Sequence, residues 1–239
     1  MTESAVYLQP AFILQQRKYR EASLIIDVLT RDFGRISLLA KGVRKLRSKT
    51  SGVLQPFIPL SISYVGRAEL KTLTDVHAIS SDMPQSFKGL ALYCGFYINE
   101  LIVCFLHKYD PHPEVFCHYR DCLAGLSDGL CLEAVLRLFE LKLMACAGYG
   151  LPLDYDQQGS PIVAFKKYHY KAGSALIEAT DGLLSGRTLL ALSSATLTDP
   201  QVLSEAKTLM RMVIDGYLQG KQLKSRAVIH KIMTYTKNA

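Results

Sequence analysis

The side chains with the clearest capacity for chemistry form a cationic run between residues 31 and 49. The run holds seven Lys and Arg residues in nineteen positions, and Asp32 is its one acid. The stretch from Lys41 to Gly52 has no apolar periodicity, which indicates a loop. Each cation that neutralises a phosphate releases condensed counterions, so such a loop suits a nucleic-acid backbone of any sequence. The alternative is a set of solvated cations that bind nothing.

No catalytic signature accompanies this run. The nearest approach to a phosphate-binding loop, from Asp215 to Gln222, has Asp at the position of the first Gly and Gln at that of the magnesium-binding Ser or Thr. The motifs H-E-x-x-H, G-x-S-x-G and G-x-G-x-x-G are absent from the sequence. We therefore expect a protein that is not an enzyme and that needs no cofactor.

Five His and Cys residues within sixteen positions raise the question of a metal site. They are His107, His112, Cys117, His118 and Cys122. Pro111 and Pro113 argue against one continuous helix that carries all five, and the sequence lacks C-x-x-C, the usual mark of structural zinc. We expect no metal site and interpret the cysteines as small buried apolar residues.

The distribution of charge favours a polyanionic ligand. The net charge is +7 and the pI is about 9.0. Residues 1–80 hold 12 basic and 6 acidic residues, residues 81–206 hold 9 and 14, and residues 207–239 hold 7 and 1. Two positive segments that flank a negative one produce local potentials that the total conceals, and nucleic acid is the first candidate for such segments.

The composition also bears on the compartment. Six Cys in 239 residues are too few for a disulfide framework, and the N-terminus lacks the basic and apolar regions of a signal peptide. The most apolar stretch, residues 90–106, contains Asn99 and Glu100 and is shorter than the roughly 20 residues that cross a bilayer. We expect a cytoplasmic protein with no membrane segment.

The elements that must position the cations begin with β structure. Runs rich in Val, Ile and Leu, separated by polar or Gly-containing breaks, predict strands over residues 5–15, 23–30, 35–40, 57–65 and 69–78. Closure removes the exposed edges that such a short open sheet would leave. We therefore predict a small closed barrel, and the five-stranded OB-fold is the first candidate.

After Ser80 the apolar residues recur at helical spacing. The pattern predicts helices over residues 87–106, 130–146, 186–192, 201–218 and 223–233. Gly and Pro breaks over residues 151–186 predict an irregular insertion with a small hairpin. The expected fold is thus α+β with two domains, a barrel over residues 1–80 that carries the cationic run and an α-helical domain over residues 81–239.

Motifs along nearly the whole chain carry a family resemblance. In the first part they are AFIL from Ala11, YREASL from Tyr19, TRDFGRI from Thr30, AKGVR from Ala40 and LQPF from Leu54. In the second part they are YINEL from Tyr97, LRLFEL from Leu136, GYG from Gly148, SGR from Ser185 and YLQGKQLKSR from Tyr217. In this order they resemble the RecO family of bacterial recombination mediators.

The resemblance implies an OB-fold followed by a helical domain, without enzymatic activity. It further implies binding of single- and double-stranded DNA, annealing of complementary strands, and work with RecR and the single-strand-binding protein SSB to load RecA, which places the chain at the nucleoid. Some family members carry a four-Cys zinc module in the helical domain. Residues 147–239 contain no Cys, so this chain resembles the zinc-free branch.

Twelve cations are the expected DNA-binding residues. The main group is Arg35, Lys41, Arg44, Lys45, Arg47 and Lys49, with Arg67 and Lys71 as lesser candidates and Lys221, Lys224, Arg226 and Lys231 as a second patch near the C-terminus. Such cations screen the repulsion between two strands while the base edges stay free to pair.

In the family, the helical domain receives the acidic, Phe-ending tail of SSB, which requires a cation beside an apolar pocket. The resemblance assigns Arg137 to this role, with Leu136, Phe139 and Leu143 on the same helix and Arg187 and Arg211 as further candidates. The alternative for Arg137 is an ordinary pair within the helix, with Glu133 or Glu140.

Two functions from other classes remain open. A zinc-dependent nucleic-acid enzyme would require ligands and a general base. A protein-interaction scaffold of the repair machinery would have no affinity for DNA at low salt, whereas a DNA-binding protein would show affinity that declines as salt rises.

Overall fold

The computed structural model describes residues 4–45, 50, 52–79, 87–129, 131–171 and 175–237. By its internal contacts the chain divides into two compact units, Met1–Ser127 and Asp128–Ala239. Among the described residues, no helix is both long enough and apolar enough to cross a bilayer.

The first unit contains a closed five-stranded barrel. Its strands are β1 (Ala5–Tyr19), β2 (Ser23–Thr30), β3 (Gly34–Ala40), β4 (Leu60–Val65) and β5 (Leu70–Ala78). Around the barrel they follow the order β1-β2-β3-β5-β4, and β4 pairs again with β1. The pairing of β3 with β5 is parallel and the others are antiparallel. The predicted OB-fold barrel is therefore confirmed.

Apolar side chains at alternate strand positions fill the interior of the barrel. The inward side chains include Ala11, Ile13, Ile26, Val28, Ile36, Leu38, Leu60 and Ile62, all buried. Burial of a large aliphatic side chain contributes roughly 1.5–3 kcal/mol. Because a slip of one residue would turn this whole set outward, the pattern also fixes the register of the strands.

β1 is longer than the sequence pattern indicates. A register shift between Ile13 and Gln15 bends the strand, so its first half pairs with β4 and its second half with β2. The predicted strand ends at residue 15 and the next three residues are polar, yet the pairing with β2 continues as far as Tyr19. The fourth strand is shorter than predicted, since it begins at Leu60 and not at residue 57. Phe57 has a φ of 70° and lies before this strand.

Two helices, α1 (Leu90–Phe105) and α2 (Pro113–Ser127), belong to the same compact unit as the barrel. They cover Phe12, which points outward from β1 and whose ring lies 5.2 Å from that of Phe116 and 5.0 Å from that of Tyr119. The first compact unit thus extends beyond residue 80, where the sequence predicts the domain boundary. The pattern also missed α2, which begins at a proline, a residue favoured in the first turn of a helix.

The second unit is mainly helical. Its elements are α3 (Leu132–Cys146), β6 (Lys167–Lys171), β7 (Ala175–Glu178), β8 (Leu184–Ser185), α4 (Gly186–Ser193), α5 (Pro200–Tyr217) and α6 (Lys224–Lys237). The predicted hairpin is β6 with β7, and the short β8 adds an unpredicted third strand. Asp199 caps α5 by accepting hydrogen bonds from the backbone amides of Gln201 and Val202.

Candidate nucleic-acid interface

The register of β1, β2 and β3 brings two turns to one end of the barrel. Tyr19 pairs with Ser23 at the β1–β2 turn, and Leu24 pairs with Ala40 at the end of β3. The chain after β3 therefore runs beside the β1–β2 turn. Hydrogen bonds join the two, from the backbone amide of Arg44 to the carbonyl of Ala22 (3.0 Å) and from Arg44 Nη1 to the carbonyl of Arg20 (3.2 Å).

This arrangement gathers six exposed cations, which we call the barrel-end surface. They are Arg17, Lys18, Arg20, Lys41, Arg44 and Lys45. Within the described part of the chain, none of them forms an ion pair with a carboxylate, although the exposed Glu21 lies in the same turn. The predicted residues Arg47 and Lys49 lie outside the described residues. The surface can therefore offer several uncompensated positive charges to a polyanion.

The sequence pattern did not identify Arg17, Lys18 and Arg20 as candidate DNA-binding residues. The signal was present as the tetrapeptide RKYR from Arg17, but the predicted strand ended at residue 15. Without the full length of β1, nothing indicated that these cations lie beside Lys41 and Arg44. Arg20 also packs over the ring of Tyr19, with its Cζ 5.3 Å from the ring centroid.

Arg35 differs from the prediction. Its side chain is half-buried, and its Nη1 donates a 2.6 Å hydrogen bond to the carbonyl of Val103 on α1. Burial lowers the pKa of Arg35, an effect that the charge of Asp27 partly opposes. Its Nε is buried and has no hydrogen-bond partner in the described regions. These contacts tie the barrel to α1, so we leave Arg35 out of the barrel-end surface.

Arg67 and Lys71 flank the β4–β5 turn. Arg67 is exposed. Lys71 Nζ donates to the carbonyls of Gly66 (3.3 Å) and Ala68 (3.4 Å) and lies 5.3 Å from the centroid of the Tyr109 ring. The side chain of Lys71 thus closes the turn, which makes it a weaker candidate for phosphate than the barrel-end cations.

A segment after α1 pairs with the edge of β3 at the start of that strand. The backbone amide of Tyr109 donates to the carbonyl of Arg35 (3.0 Å), and Lys108 forms a parallel bridge with the same residue. At Gly34 a Cβ atom would lie 2.1 Å from the carbonyl oxygen of Asp110. Only glycine therefore allows the segment 108–110 to lie so close to the start of β3.

A shallow cavity of about 330 Å³ lies on the outer face of β2 and β3, and Arg17 of the barrel-end surface belongs to its lining. Its lining includes Asp27, whose carboxylate accepts hydrogen bonds from Gln15 Nε2 (2.6 Å) and Ser37 Oγ (2.5 Å). Lys108, which also lines the cavity, forms a 2.7 Å ion pair with Glu69. The face therefore presents a carboxylate where an OB-fold commonly binds an oligonucleotide.

The second predicted patch lies at the end of α5 and on α6. Lys221, Lys224 and Lys231 are exposed. Arg226 is ion-paired with Asp215, which reduces the charge that this patch can offer. This patch is weaker in available charge than the barrel-end surface.

The residues expected to receive the SSB tail do not form an accessible pocket. Arg137 Nη2 lies 2.5 Å from Glu140 Oε1, and the two side chains are only 8% and 1% exposed. Leu136, Phe139 and Leu143 are buried core residues. The structure thus gives Arg137 the helical pair named as the alternative, with Glu140 as its partner, whereas Glu133 pairs with Lys207.

The two further candidates for the tail are each engaged elsewhere. Arg187 is exposed and pairs with Asp199 at 2.9 Å. Arg211 is exposed and lies 4.0 Å from Asp215. Both are surface pairs, which typically contribute about 0–1 kcal/mol and open readily for another anion.

The His and Cys group does not form a cluster of metal ligands. Within the described regions, no three His, Cys, Asp or Glu side chains are arranged to hold a metal ion. His112 Nε2 instead lies 3.1 Å from Asp110 Oδ2, and Cys122 is buried.

Comparison with known families gives two matches that together cover most of the chain. The family model described as "Recombination protein O N terminal" matches residues 1–81, and "Recombination protein O C terminal" matches residues 87–227.

Individual relatives agree over nearly their full length. The chain is 42% identical to "DNA repair protein RecO" of Coxiella burnetii (strain RSA 493 / Nine Mile phase I) over 229 residues, 94% of this chain and 98% of that protein. It is 42% identical to the protein of the same name from Methylococcus capsulatus, with 93% of each chain covered. It is 39% identical to the protein of the same name from Dechloromonas aromatica, over 96% of this chain and 97% of that protein.

Proposed function

The chain belongs to the RecO family of DNA repair proteins, and we propose on this basis that it binds single- and double-stranded DNA and anneals complementary strands. With RecR, it helps to load RecA onto single-stranded DNA coated with SSB. It makes and breaks no covalent bond, and it works in the cytoplasm in association with the nucleoid.

The barrel-end surface is the observation that carries this proposal. Six exposed cations from two adjacent turns and the end of β1 lie within one small region. Two DNA strands repel each other through their phosphates, and cations reduce this repulsion while counterions are released. Because the contacts go to the backbone, the base edges stay free to find their complement.

The second basic patch supports a further contact with the same polyanion. Lys221 and Lys231 are exposed and belong to the segment of residues 207–239, which carries 7 basic residues and 1 acidic residue. We expect it to add affinity without adding sequence preference, since phosphate contacts position a strand and do not read it.

The annealing rate of complementary strands coated with SSB tests this function. The variant Arg20→Ala/Arg44→Ala/Lys45→Ala removes three charges from the barrel-end surface and leaves the barrel core unchanged. We expect its annealing rate to fall by at least about tenfold at moderate salt. Each lost cation removes a phosphate contact, so fewer counterions are released when DNA binds. The matched control is Lys142→Ala, which removes an exposed cation on α3. An unchanged rate in the triple variant would remove this surface from the mechanism.

The tail of SSB is the proposed ligand of the helical unit. In the closed state of the Arg137–Glu140 pair, a tail carboxylate cannot reach Arg137, so binding there requires the pair to open. Arg187 and Arg211 are the exposed alternatives.

A peptide with the acidic, Phe-ending tail distinguishes these sites. Loss of peptide binding only in Arg137→Met/Glu140→Leu assigns the tail to Arg137, and loss only in Arg187→Ala or Arg211→Ala assigns it to that residue. Full binding in all three variants would exclude every predicted cation as the receptor of the tail.

A further inference from the structure

The strands that commonly bind bases in an OB-fold have no aromatic side chain in this protein. OB-folds bind oligonucleotides on the face of strands 2 and 3 and with the flanking loops, and bases stack there on aromatic rings. β2 reads SLIIDVLT and β3 reads GRISLLA. Neither strand can therefore offer a stacking platform.

The same face also carries an acidic side chain. The segment 108–110 pairs with the edge of β3 and does not cover this face, whose cavity is lined by Asp27 together with Arg17 and Lys108. On β2, Ile25 and Leu29 are buried, and between them Asp27 presents a carboxylate held by Gln15 and Ser37. A phosphate near Asp27 would meet a charge of its own sign.

The aromatic residues of the barrel give no alternative platform on this face. Phe12, Phe57 and Tyr64 are buried, whereas Tyr7 on β1 and Phe33 in the β2–β3 turn are exposed but belong to neither β2 nor β3. The rings of Tyr19 and Tyr109 each have a cation of this chain over one face, namely Arg20 and Lys71.

We propose that this protein holds DNA through the phosphodiester backbone at the barrel-end surface and leaves the bases unstacked. This inference rests on the proposed function and makes it more specific, because it names the phosphodiester chain, and not the unpaired base, as the ligand of the barrel. The β2–β3 face of the barrel offers no aromatic ring to a base, and Asp27 places a carboxylate there. A protein that takes no base into its own fold leaves each base available to the complementary strand.

The test compares three oligonucleotides of equal length with the full-length protein, by fluorescence anisotropy at low salt. The first is an unmodified single strand, the second has abasic tetrahydrofuran sites throughout, and the third has all its bases on an uncharged methylphosphonate backbone. We expect the abasic strand to bind within about twofold of the unmodified strand, because stacking of even one base would add about fivefold or more. The methylphosphonate strand should bind at least about tenfold more weakly.

Two results would overturn the inference. One is an abasic strand that binds at least about fivefold more weakly than the unmodified strand. The other is a methylphosphonate strand that binds as tightly as the unmodified one. If the unmodified strand itself does not bind, the proposed function fails as well, and this distinguishes failure of the function from failure of the binding mode alone.

Two tyrosine variants locate any stacking that remains. Tyr19→Leu and Tyr109→Leu remove the two rings that pack against cations of this chain, and folding is checked by circular dichroism. Each should bind the unmodified strand within about twofold of the parent protein. A variant that keeps its fold but loses about fivefold or more for the unmodified strand, and not for the abasic one, would place a base on that ring and refute the inference.

Discussion

Arg137 and Glu140 show how strongly one residue depends on its surroundings. Both charges are buried at a distance of 2.5 Å, and Arg137 Nε lacks a hydrogen-bond partner in the described structure. Removing two charges from water costs several kcal/mol for each ion, and their attraction only approximately offsets this cost. The pair therefore maintains a packed helix and adds little net stability of its own.

This balance predicts an asymmetric mutational response. Glu140→Ala leaves Arg137 as an uncompensated buried charge and should lower the free energy of unfolding by about 3–5 kcal/mol. The double variant Arg137→Met/Glu140→Leu removes both charges at similar volume and should be neutral or more stable. Urea unfolding measures both. A double variant that is less stable than Glu140→Ala would show that the pair is strongly stabilising.

Gly34 is a second residue whose identity is fixed by its surroundings. Its φ is +65°, and an added Cβ would lie 2.1 Å from the carbonyl oxygen of Asp110. Gly34→Ala should therefore cost more than the roughly 1–2 kcal/mol of a left-handed backbone. The matched control is Gly42→Ala, with a φ of +71° and only the Lys45 side chain at 3.9 Å. Equal losses of stability in urea for the two variants would mean that segment 108–110 does not press against β3.

At the scale of elements, the barrel and its two helices are joined by a buried polar link. Asn99 on α1 donates to the carbonyl of Leu14 (2.8 Å) and accepts from the hydroxyl of Tyr119 on α2 (2.6 Å). Burial raises the pKa of Tyr119 well above its ordinary value, so the hydroxyl stays protonated and can donate. β1, α1 and α2 therefore share one hydrogen-bond network.

Removal of one hydroxyl should weaken this whole unit. Tyr119→Phe leaves the side-chain oxygen of Asn99 without this donor and should cost about 1–3 kcal/mol in urea unfolding. Tyr93→Phe, at a half-buried position of α1, is the matched control and should be nearly neutral. If circular dichroism of the helices and tyrosine fluorescence of the barrel shifted by different amounts in Tyr119→Phe, the helices and the barrel would not unfold as one unit.

A second link, in the helical unit, is sensitive to pH. Glu205 on α5 accepts hydrogen bonds from the backbone amide and hydroxyl of Ser185 and from the Thr188 hydroxyl. Burial alone would raise the pKa of Glu205, but these hydrogen bonds outweigh it and hold the pKa below its ordinary value of 4.5. A folded-state pKa that lies below the unfolded value contributes stability above about pH 4.5 and loses it as the pH falls further.

Stability measurements across pH test this link. Glu205→Gln should be less stable than the parent protein at neutral pH, and the difference should shrink as the pH falls below about 4.5. Gln201→Ala removes only one weaker hydrogen bond, to Glu205 Oε1, and should show a smaller loss with the same dependence on pH. A difference that stayed constant down to about pH 3 would mean that the Glu205 carboxylate is not the titrating group.

β2 was predictable because it is a short apolar run between polar breaks, and its bounds agree with the sequence pattern. The end of β1 was not, because Gln15 to Lys18 are polar and exposed and owe their strand conformation to pairing with β2. α2 was hidden because Pro111 precedes it and Pro113 stands at its first position. The end of β1 depends on tertiary pairing, which a local pattern does not contain.

The whole molecule combines two positive ends with a negative middle, and this was readable from the sequence. The sequence predicted only some of the cations that are accessible in the structure. Lys41, Arg44 and Lys45 were predicted and are exposed, whereas Arg35 and Lys71 turn to carbonyl groups of their own chain. Strand register decides which cations meet, and no spacing along the chain reveals it.

Binding of a single-stranded oligonucleotide by the pure protein, followed by fluorescence anisotropy over a series of salt concentrations, tests the central claim most directly. We predict tight binding at low salt and a linear fall of log affinity with log salt. In Arg20→Ala/Arg44→Ala/Lys45→Ala, the magnitude of the slope should decrease by about 2, since each phosphate contact to a single strand contributes about 0.7. Lys142→Ala should keep the parent slope. Absence of binding at low salt, or an affinity that does not change with salt, would contradict the claim that this protein works by neutralising the DNA backbone.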